Sequence, residues 1–182
     1  MQYIDQTEQV LACLQAGGII AYPTEAVYGL GCDPWNESAV SRLLALKQRP
    51  VEKGLILLIG NWSQLDALIL PIPEDRMQII RQSWPGPVTW VFPSAPSVPT
   101  WVTGIHSSIA VRMTAHPIAH ALCLPAPLIS TSANVSAHPP ARSVAALLEQ
   151  FPVGIDACVT GALGSEQQPS RMLDALTGMC YR

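Results

Sequence analysis

Two short apolar strands enclose one helix early in this sequence. The first predicted strand, Ile19–Tyr22, ends at Pro23 and leads through a Thr- and Gly-rich loop to a predicted helix, Glu37–Lys47. A basic loop then leads to the second predicted strand, Leu55–Ile59. Strands interleaved with short helices indicate an α/β fold.

The rest of the chain continues this alternation. Predicted helices are a first one capped by Asp5, then Pro73–Ser83, His116–Leu122 and Val144–Phe151. Predicted strands are Val88–Phe92, Ser108–Met113, Pro127–Ser130, Ile155–Thr160, Met172–Leu176 and Met179–Tyr181. Because a tight turn joins the last two strands, the sheet is predicted to be mixed and not all parallel.

Composition limits the class of protein. The chain has 182 residues, 49% apolar and 13% charged, which predicts a single folded domain over residues 1–182. No apolar run approaches the ~20 residues of a membrane helix, and the N-terminus lacks the features of a secretory signal. The five scattered cysteines include no CxxC pair, which predicts reduced thiols in a cytoplasmic protein. The net charge of −3 argues against charge-driven coating of nucleic acid.

The loop after the predicted helix concentrates basic residues. Lys47, Arg49 and Lys53 lie within seven positions of a chain that has only ten lysines and arginines. Two interpretations are open: a local anion site, or a solvated helix end where the helix dipole favours cations.

Two further polar features interrupt apolar strands. Arg112 lies within a predicted apolar strand, so it must meet an acidic side chain or bind a carboxylate or phosphate. The run Ser130–Asn134 ends a buried strand, where open α/β sheets bind ligands, although an ordinary polar turn would have the same composition. Ser170 opens a late strand and is a weaker signal.

Several common site motifs are absent from the sequence. There is no GxxxxGK[ST], GxGxxG, HExxH or GxSxG. His116 and His120 are one helical turn apart but have no third partner, so no metal site is predicted.

Taken together and in order, these clusters resemble the YrdC-type family, the threonylcarbamoyl-AMP synthases, in its short single-domain form. The matching segments are Tyr22–Gly31 (YPTEAVYGLG), Leu46–Pro50 (LKQRP), Lys53–Leu55 (KGL), Trp84–Thr89 (WPGPVT), Ala110–Arg112 (AVR), Ser130–Ser136 (STSANVS) and Pro169–Gly178 (PSRMLDALTG).

The resemblance implies a YrdC-type α/β fold, with a twisted mixed sheet flanked by helices and a deep basic cavity. It implies an enzyme that joins L-threonine, bicarbonate and ATP, with Mg²⁺ accompanying the ATP, into threonylcarbamoyl-adenylate and pyrophosphate. Partner proteins then transfer the threonylcarbamoyl group to adenosine-37 of tRNAs that read codons starting with A. The chain itself is expected to meet tRNA only weakly or indirectly, and no membrane.

The resemblance also implies residue roles. The catalytic charges would be Lys47, Arg49 and Lys53, which would also bind ATP together with Ser132, Asn134, Arg142 and Arg182. The threonine contacts would be Thr24, Arg112, Ser130 and Ser170. For Arg112, the expected partner is the substrate carboxylate and not an acid of this chain, so the apoprotein should retain its stability without Arg112.

Three positions depart from the family pattern. Ala26 stands where a threonine is frequent, Leu58 where longer relatives have a histidine, and Ala137 where a glycine is usual. Two other functions are considered. One is a non-catalytic module that binds RNA or a nucleotide, which the low aromatic content of 6% weakens. The other is a carbamoyl-transfer domain of hydrogenase maturation, whose additional domains are missing here.

Overall fold

The computed structural model describes residues 1–4 and 6–182, so the predicted helix cap Asp5 lies outside the described residues. Within these ranges the chain forms nine β-strands and seven α-helices. None of the helices described has the length and apolar character needed to cross a membrane.

The elements have the following bounds. The strands are β1 (Gln2–Ile4), β2 (Ile20–Pro23), β3 (Tyr28–Gly31), β4 (Ile56–Ile59), β5 (Val88–Pro93), β6 (Ser108–Met113), β7 (Leu128–Ser132), β8 (Ala157–Val159) and β9 (Arg171–Asp174). The helices are α1 (Thr7–Gln15), α2 (Glu37–Lys47), α3 (Trp62–Asp66), α4 (Glu74–Ser83), α5 (Thr100–Thr103), α6 (Pro117–Cys123) and α7 (Val144–Gln150), and Val51–Lys53 forms a 3₁₀ turn.

The strands form one mixed sheet in the order β1-β8-β2-β3-β7-β4-β6-β5-β9. Four neighbouring pairs are parallel (β1 with β8, β8 with β2, β4 with β6, β5 with β9) and the other four are antiparallel. The predicted mixed α/β fold is therefore confirmed. The predicted hairpin of Met172–Leu176 and Met179–Tyr181 forms in part: its first strand is β9, and Met179–Tyr181 contributes an isolated bridge, between Leu173 and Cys180, instead of a second strand.

Helix α2 shows why local sequence determines these elements. The Asn36 side chain accepts a hydrogen bond from the Ala39 amide and caps the helix, as its position predicts. At the other end Gln48 adopts a left-handed conformation (φ 50°), and the amides of Gln48 and Arg49 bond back to the last turn. This ending directs the chain into the basic loop.

The sequence did not predict β1, β3 or α5. Strand β3 has two glycines among its four residues, a composition that weakens a strand prediction. The strand forms because it is buried between β2 and β7, and a Cβ at Gly31 would collide with the carbonyl oxygen of Ile129. Tertiary packing, not local propensity, creates this strand.

The central strands bury different residues on their two faces. Leu57, Val111 and Trp90 are in register and belong to the main hydrophobic core. Leu58 and Arg112, which also pair across β4 and β6, point to the opposite face because side chains alternate along a strand. The candidate site lies on this second face.

Candidate functional site

A cavity of about 490 Å³ lies over the second face of the sheet. Its floor consists of alternate residues of the central strands, among them Ile56, Leu58, Ala110, Arg112 and Ser130. Its walls are loops and chain ends, namely Thr24–Val27, Lys53–Leu55, Val102–Thr103, His106, Glu166, Gln168–Ser170 and Tyr181–Arg182. Segments distant in sequence thus meet around one space.

Three cations on the wall have no acidic partner among the described side chains. They are Arg49, Lys53 and Arg182, and none takes part in a salt bridge there. Arg49 donates to the Gly54 carbonyl at 2.8 Å, while its Nε is buried without a hydrogen-bond partner. Burial and the nearby Arg182 charge lower the pKa of Arg49. Several cations without acidic partners on one cavity wall favour the binding of a multivalent anion.

Lys47, predicted to be one of the catalytic charges, does not lie with this group. The side chain is buried, and it is not part of the cavity wall. Its ammonium donates to the carbonyl oxygens of Ser132 and Asn134, the latter at 2.7 Å. Burial, and to a lesser degree the Arg49 charge, lower the pKa of Lys47 to about 8. The sequence contains a signal for this burial, because Lys47 continues the apolar stripe of Val40, Leu43 and Leu44 on α2.

Arg112 has an acidic partner within the chain, contrary to the preference stated from the sequence. Its Nη2 lies 2.7 Å from Glu25 Oε1, and its Nε donates to the Gly86 carbonyl at 2.9 Å. Glu25 Oε1 also accepts from the Thr114 hydroxyl and the Ala115 amide. Burial works against the charge of Glu25, but Arg112 and these hydrogen bonds outweigh it and lower the pKa of Glu25. The guanidinium of Arg112 is nonetheless on the cavity floor.

Hydroxyl groups near Arg112 are oriented by buried neighbours. The phenol of Tyr22, which is fully buried, donates to Ser130 Oγ at 2.7 Å, and burial raises the pKa of Tyr22. Ser130 therefore keeps its own hydrogen for another acceptor. Ser170 Oγ and Thr89 Oγ1 share a hydrogen bond of 2.8 Å, and Thr24 Oγ1 donates to the Val27 carbonyl.

Eight of the eleven predicted site residues line the cavity: Thr24, Arg49, Lys53, Arg112, Ser130, Ser132, Ser170 and Arg182. Lys47, Asn134 and Arg142 do not. Asn134 uses its side chain to organise its own turn, accepting from Ser132 Oγ at 2.5 Å and donating to the Val135 and His138 carbonyls. Arg142 is exposed to solvent.

Sequence reasoning missed the residues that support the site, namely Glu25, Tyr22 and Thr89. Glu25 could have been found, because an acid directly after an apolar strand is the natural partner for a strand arginine. Ala26 and Leu58, two departures from the family pattern, line the cavity with apolar groups. The third, Ala137, has a φ of 69°, which explains why a glycine is usual there.

The charged lining is of mixed sign. It includes four basic side chains, Arg49, Lys53, Arg112 and Arg182, and two acidic ones, Glu25 and Glu166. Glu25 is already paired with Arg112. In the part of the chain that the structure describes, no three His, Cys, Asp or Glu side chains group together as metal ligands.

Comparison with known proteins gives a consistent result. A family model for the Sua5, YciO and YrdC proteins, described as telomere recombination, matches residues 12–180. A threonylcarbamoyl-AMP synthase of Pseudomonas aeruginosa (strain UCBPP-PA14) is 52% identical over 170 residues, which are 93% of this chain and 92% of that protein. The threonylcarbamoyl-AMP synthase of Coxiella burnetii (strain RSA 331) is 46% identical over 182 residues, 99% of this chain and 98% of that protein.

Solved structures share the fold. The crystal structure of P. abyssi Sua5 complexed with L-threonine superposes with a TM-score of 0.87 at 32% identity, over 95% of this chain and 53% of that one. The chain thus spans about half the length of that protein. E. coli YciO matches with a TM-score of 0.84 over 100% of this chain and 92% of that one, and at 23% identity it supports the fold alone.

Proposed function

The chain belongs to the Sua5/YciO/YrdC family, and on that premise we propose that it is a threonylcarbamoyl-AMP synthase. The proposed reaction condenses L-threonine, bicarbonate and ATP to threonylcarbamoyl-adenylate and pyrophosphate. Relatives named for this activity are about half identical to the chain over nearly its full length, which supports the assignment, with residues 1–182 acting as one domain.

One observation carries the proposal for the site. The same cavity is lined by Arg112 together with oriented hydroxyl groups and by three cations without acidic partners among the described side chains. The first set suits an amino-acid carboxylate, and the second suits a triphosphate. A reaction that joins an amino acid to a nucleotide needs both sets in one enclosed space.

The proposed threonine end uses Arg112, Ser130, Ser170 and Thr24. The Arg112 side chain is 13% exposed and lies on the cavity floor, so its guanidinium can contact a ligand carboxylate while it remains paired with Glu25. Ser130 can donate to the same carboxylate because Tyr22 occupies its oxygen as an acceptor.

The proposed nucleotide end uses Arg49, Lys53 and Arg182, with Ser132 beside them on the wall. The threonine ammonium group and bicarbonate combine with loss of one water and one proton to form a carbamate, whose oxygen then attacks the α-phosphorus as pyrophosphate departs. Fixed cations stabilise the charge that develops on the departing pyrophosphate. Lys47, Asn134 and Arg142 have no proposed contact with the reacting atoms.

We propose that Mg²⁺ enters with ATP and is not resident. Among the side chains that the structure describes, two carboxylates line the cavity, and Glu25 is committed to Arg112, so the described residues do not form a set of oxygen ligands for a dedicated site. Mg²⁺ carried by the triphosphate would add positive charge at the phosphates.

The product is proposed to pass to downstream proteins that modify tRNA, with the cytoplasm as the site of action. ATP-dependent release of pyrophosphate, measured with and without threonine and with and without bicarbonate, tests the function. We expect release that requires both co-substrates. Release that ignores either of them, or none at all, would contradict the proposal.

Arg49→Ala tests the nucleotide end. Loss of a charge aimed at the phosphates should lower the rate of pyrophosphate release about a hundredfold or more, with little change in the melting temperature. Arg81→Ala is the matched control, because Arg81 is an exposed arginine that does not line the cavity and, among the described side chains, forms a salt bridge with Glu74. Equal rates for the two variants would mean that the basic loop is only a solvated helix end.

A further inference from the structure

Lys47 is a buried cation that no described carboxylate contacts. Lys47 is 3% exposed, and no salt bridge among the described side chains includes it. Burying an ammonium is costly unless hydrogen bonds compensate. Its partners are instead backbone oxygens of the turn that follows β7, residues Ser132–Ser136.

Both the side chain and the backbone of Lys47 connect helix α2 to this turn. The ammonium donates to the Ser132 and Asn134 carbonyls. In the other direction, the Lys47 carbonyl accepts from the Ser136 amide at 2.9 Å and from the Ser136 hydroxyl at 3.0 Å. We refer to these four hydrogen bonds as the Lys47 clamp.

Backbone strain flanks the clamp. Among the described residues, the only non-glycine positions with positive φ are Gln48 (50°) and Ala137 (69°). Gln48 directly follows Lys47, and Ala137 directly follows Ser136, which is one of the three residues that the clamp joins to Lys47. A strained backbone conformation persists only where surrounding contacts hold it in place. We infer that the clamp fixes the backbone at the end of α2 and in the Ser132–Ser136 turn.

The turn held by the clamp reaches the cavity through Ser132. Ser132 ends β7, pairs with Gly29 of β3 and lines the cavity. Its hydroxyl is held by Asn134 Oδ1 at 2.5 Å, and its carbonyl is held by Lys47. Losing the ammonium would remove the Lys47 donor from the Asn134 carbonyl and one of the two donors from the Ser132 carbonyl, which also accepts from the Asn134 amide, so this part of the turn would lose its attachment to α2.

We propose that Lys47 is a positioning residue for nucleotide binding, acting through the Ser132–Ser136 turn without touching the substrate. This rests on the proposed function for the identity of the nucleotide. The ammonium fixes the backbone that presents Ser132 to the ligand, while Arg49 and Lys53 supply the charges that contact the phosphates.

A double-mutant cycle separates positioning from contact. The affinity for ATP is measured by calorimetry for the wild type, Lys47→Met, Ser132→Ala, Lys53→Ala and the two double variants that contain Lys47→Met. Lys47→Met and Ser132→Ala should each weaken ATP binding about tenfold, the size of one such coupling. In the Lys47→Met background, Ser132→Ala should add less than about twofold, whereas Lys53→Ala should retain its full effect.

The opposite pattern overturns the proposal. If Ser132→Ala keeps its full effect without Lys47 while the effect of Lys53→Ala disappears, Lys47 shares the phosphates with Lys53 and contacts the ligand. An unchanged ATP affinity in Lys47→Met or in Ser132→Ala also overturns the proposal, since Lys47 would then have no effect on ATP binding through the turn.

Ser136→Ala keeps the test decisive if Lys47→Met does not fold. This variant removes one hydrogen bond of the clamp, leaves the ammonium in place and alters no cavity-lining residue. Positioning predicts ATP binding weakened about threefold, within the range of one coupling energy, whereas direct contact predicts no change. If the wild type binds ATP with this pattern but releases no pyrophosphate with threonine and bicarbonate, the proposed reaction fails and the positioning role stands. If the wild type does not bind ATP, both fail.

Discussion

At the scale of single residues, Arg112 shows what sequence can and cannot decide. Its place in an apolar strand requires an anionic partner, and the structure supplies one in Glu25. The choice between an internal acid and a substrate carboxylate could not be made from the sequence, because it depends on how the loop after β2 folds over β6. The structure permits both at once, since the paired guanidinium still borders the cavity.

Arg112→Ala should therefore destabilise the apoprotein. Removing one partner of a largely buried pair costs about 3 kcal/mol of unfolding free energy, measurable by urea denaturation, and the stabilisation by threonine should vanish with it. Because the pKa of Glu25 is lowered in the fold, the contribution of the pair is present above the ordinary carboxyl pKa of 4.5 and is lost as the pH falls through the lowered value.

The control for this prediction is Arg81→Ala, whose pair with Glu74 is exposed on both sides and should contribute under about 1 kcal/mol. A wild-type unfolding free energy for Arg112→Ala at neutral pH would show that Glu25 does not depend on its partner.

At the scale of elements, helices and strands were predicted correctly where capping residues and apolar spacing in the local sequence determine them. Helix α2 has the predicted bounds because Asn36 caps it and its apolar residues recur at helical spacing. The same periodicity places Lys47 inward, although its charge suggested exposure. Strand β3 was missed because Gly31 allows close packing against Ile129 of β7 and Gly29 allows close packing against Tyr22 of β2, contacts that local propensity does not contain.

Ala137→Gly should stabilise the turn beside α2. A left-handed conformation costs an alanine about 1–2 kcal/mol, and the added freedom of glycine in the unfolded chain removes about 0.4–1 kcal/mol of the gain. The expected increase in unfolding free energy is about 0.5 kcal/mol from these two terms, read from chemical denaturation. Ala126→Gly, at an exposed loop position without positive φ, should lower it. A loss of stability in both variants would show that Ala137 is not strained.

At the scale of the whole molecule, the site depends on an order of strands that the sequence does not reveal. Predicted strands and helices establish an α/β class, but the position of β7 between β3 and β4 lets Ser130 and Ser132 line one cavity with the segments Thr24–Val27 and Lys53–Leu55. Eight of the predicted site residues meet because of this order, and Arg142 does not because it remains on the surface.

The overall charge leads to a prediction about tRNA. With a net charge of −3 and four basic side chains confined to one cavity, the protein offers few cations for phosphate neutralisation, which supplies most non-specific affinity. A gel-shift titration with bare tRNA should show no tight complex at physiological salt. A submicromolar complex that resists added salt would favour the RNA-binding module over an enzyme that passes on its product.

The alternation along the central strands has a consequence for directed evolution. Positions 56 and 110 border the cavity, positions 57 and 111 belong to the main core, and position 58 both borders the cavity and belongs to a second hydrophobic cluster. A combinatorial library confined to the first set would vary the shape and polarity offered to an amino acid while leaving the packed side untouched. Ile56 and Ala110 are therefore suitable starting points for selecting acceptance of bulkier or smaller amino acids, since neighbouring positions on the same strand contribute separately to binding and to folding.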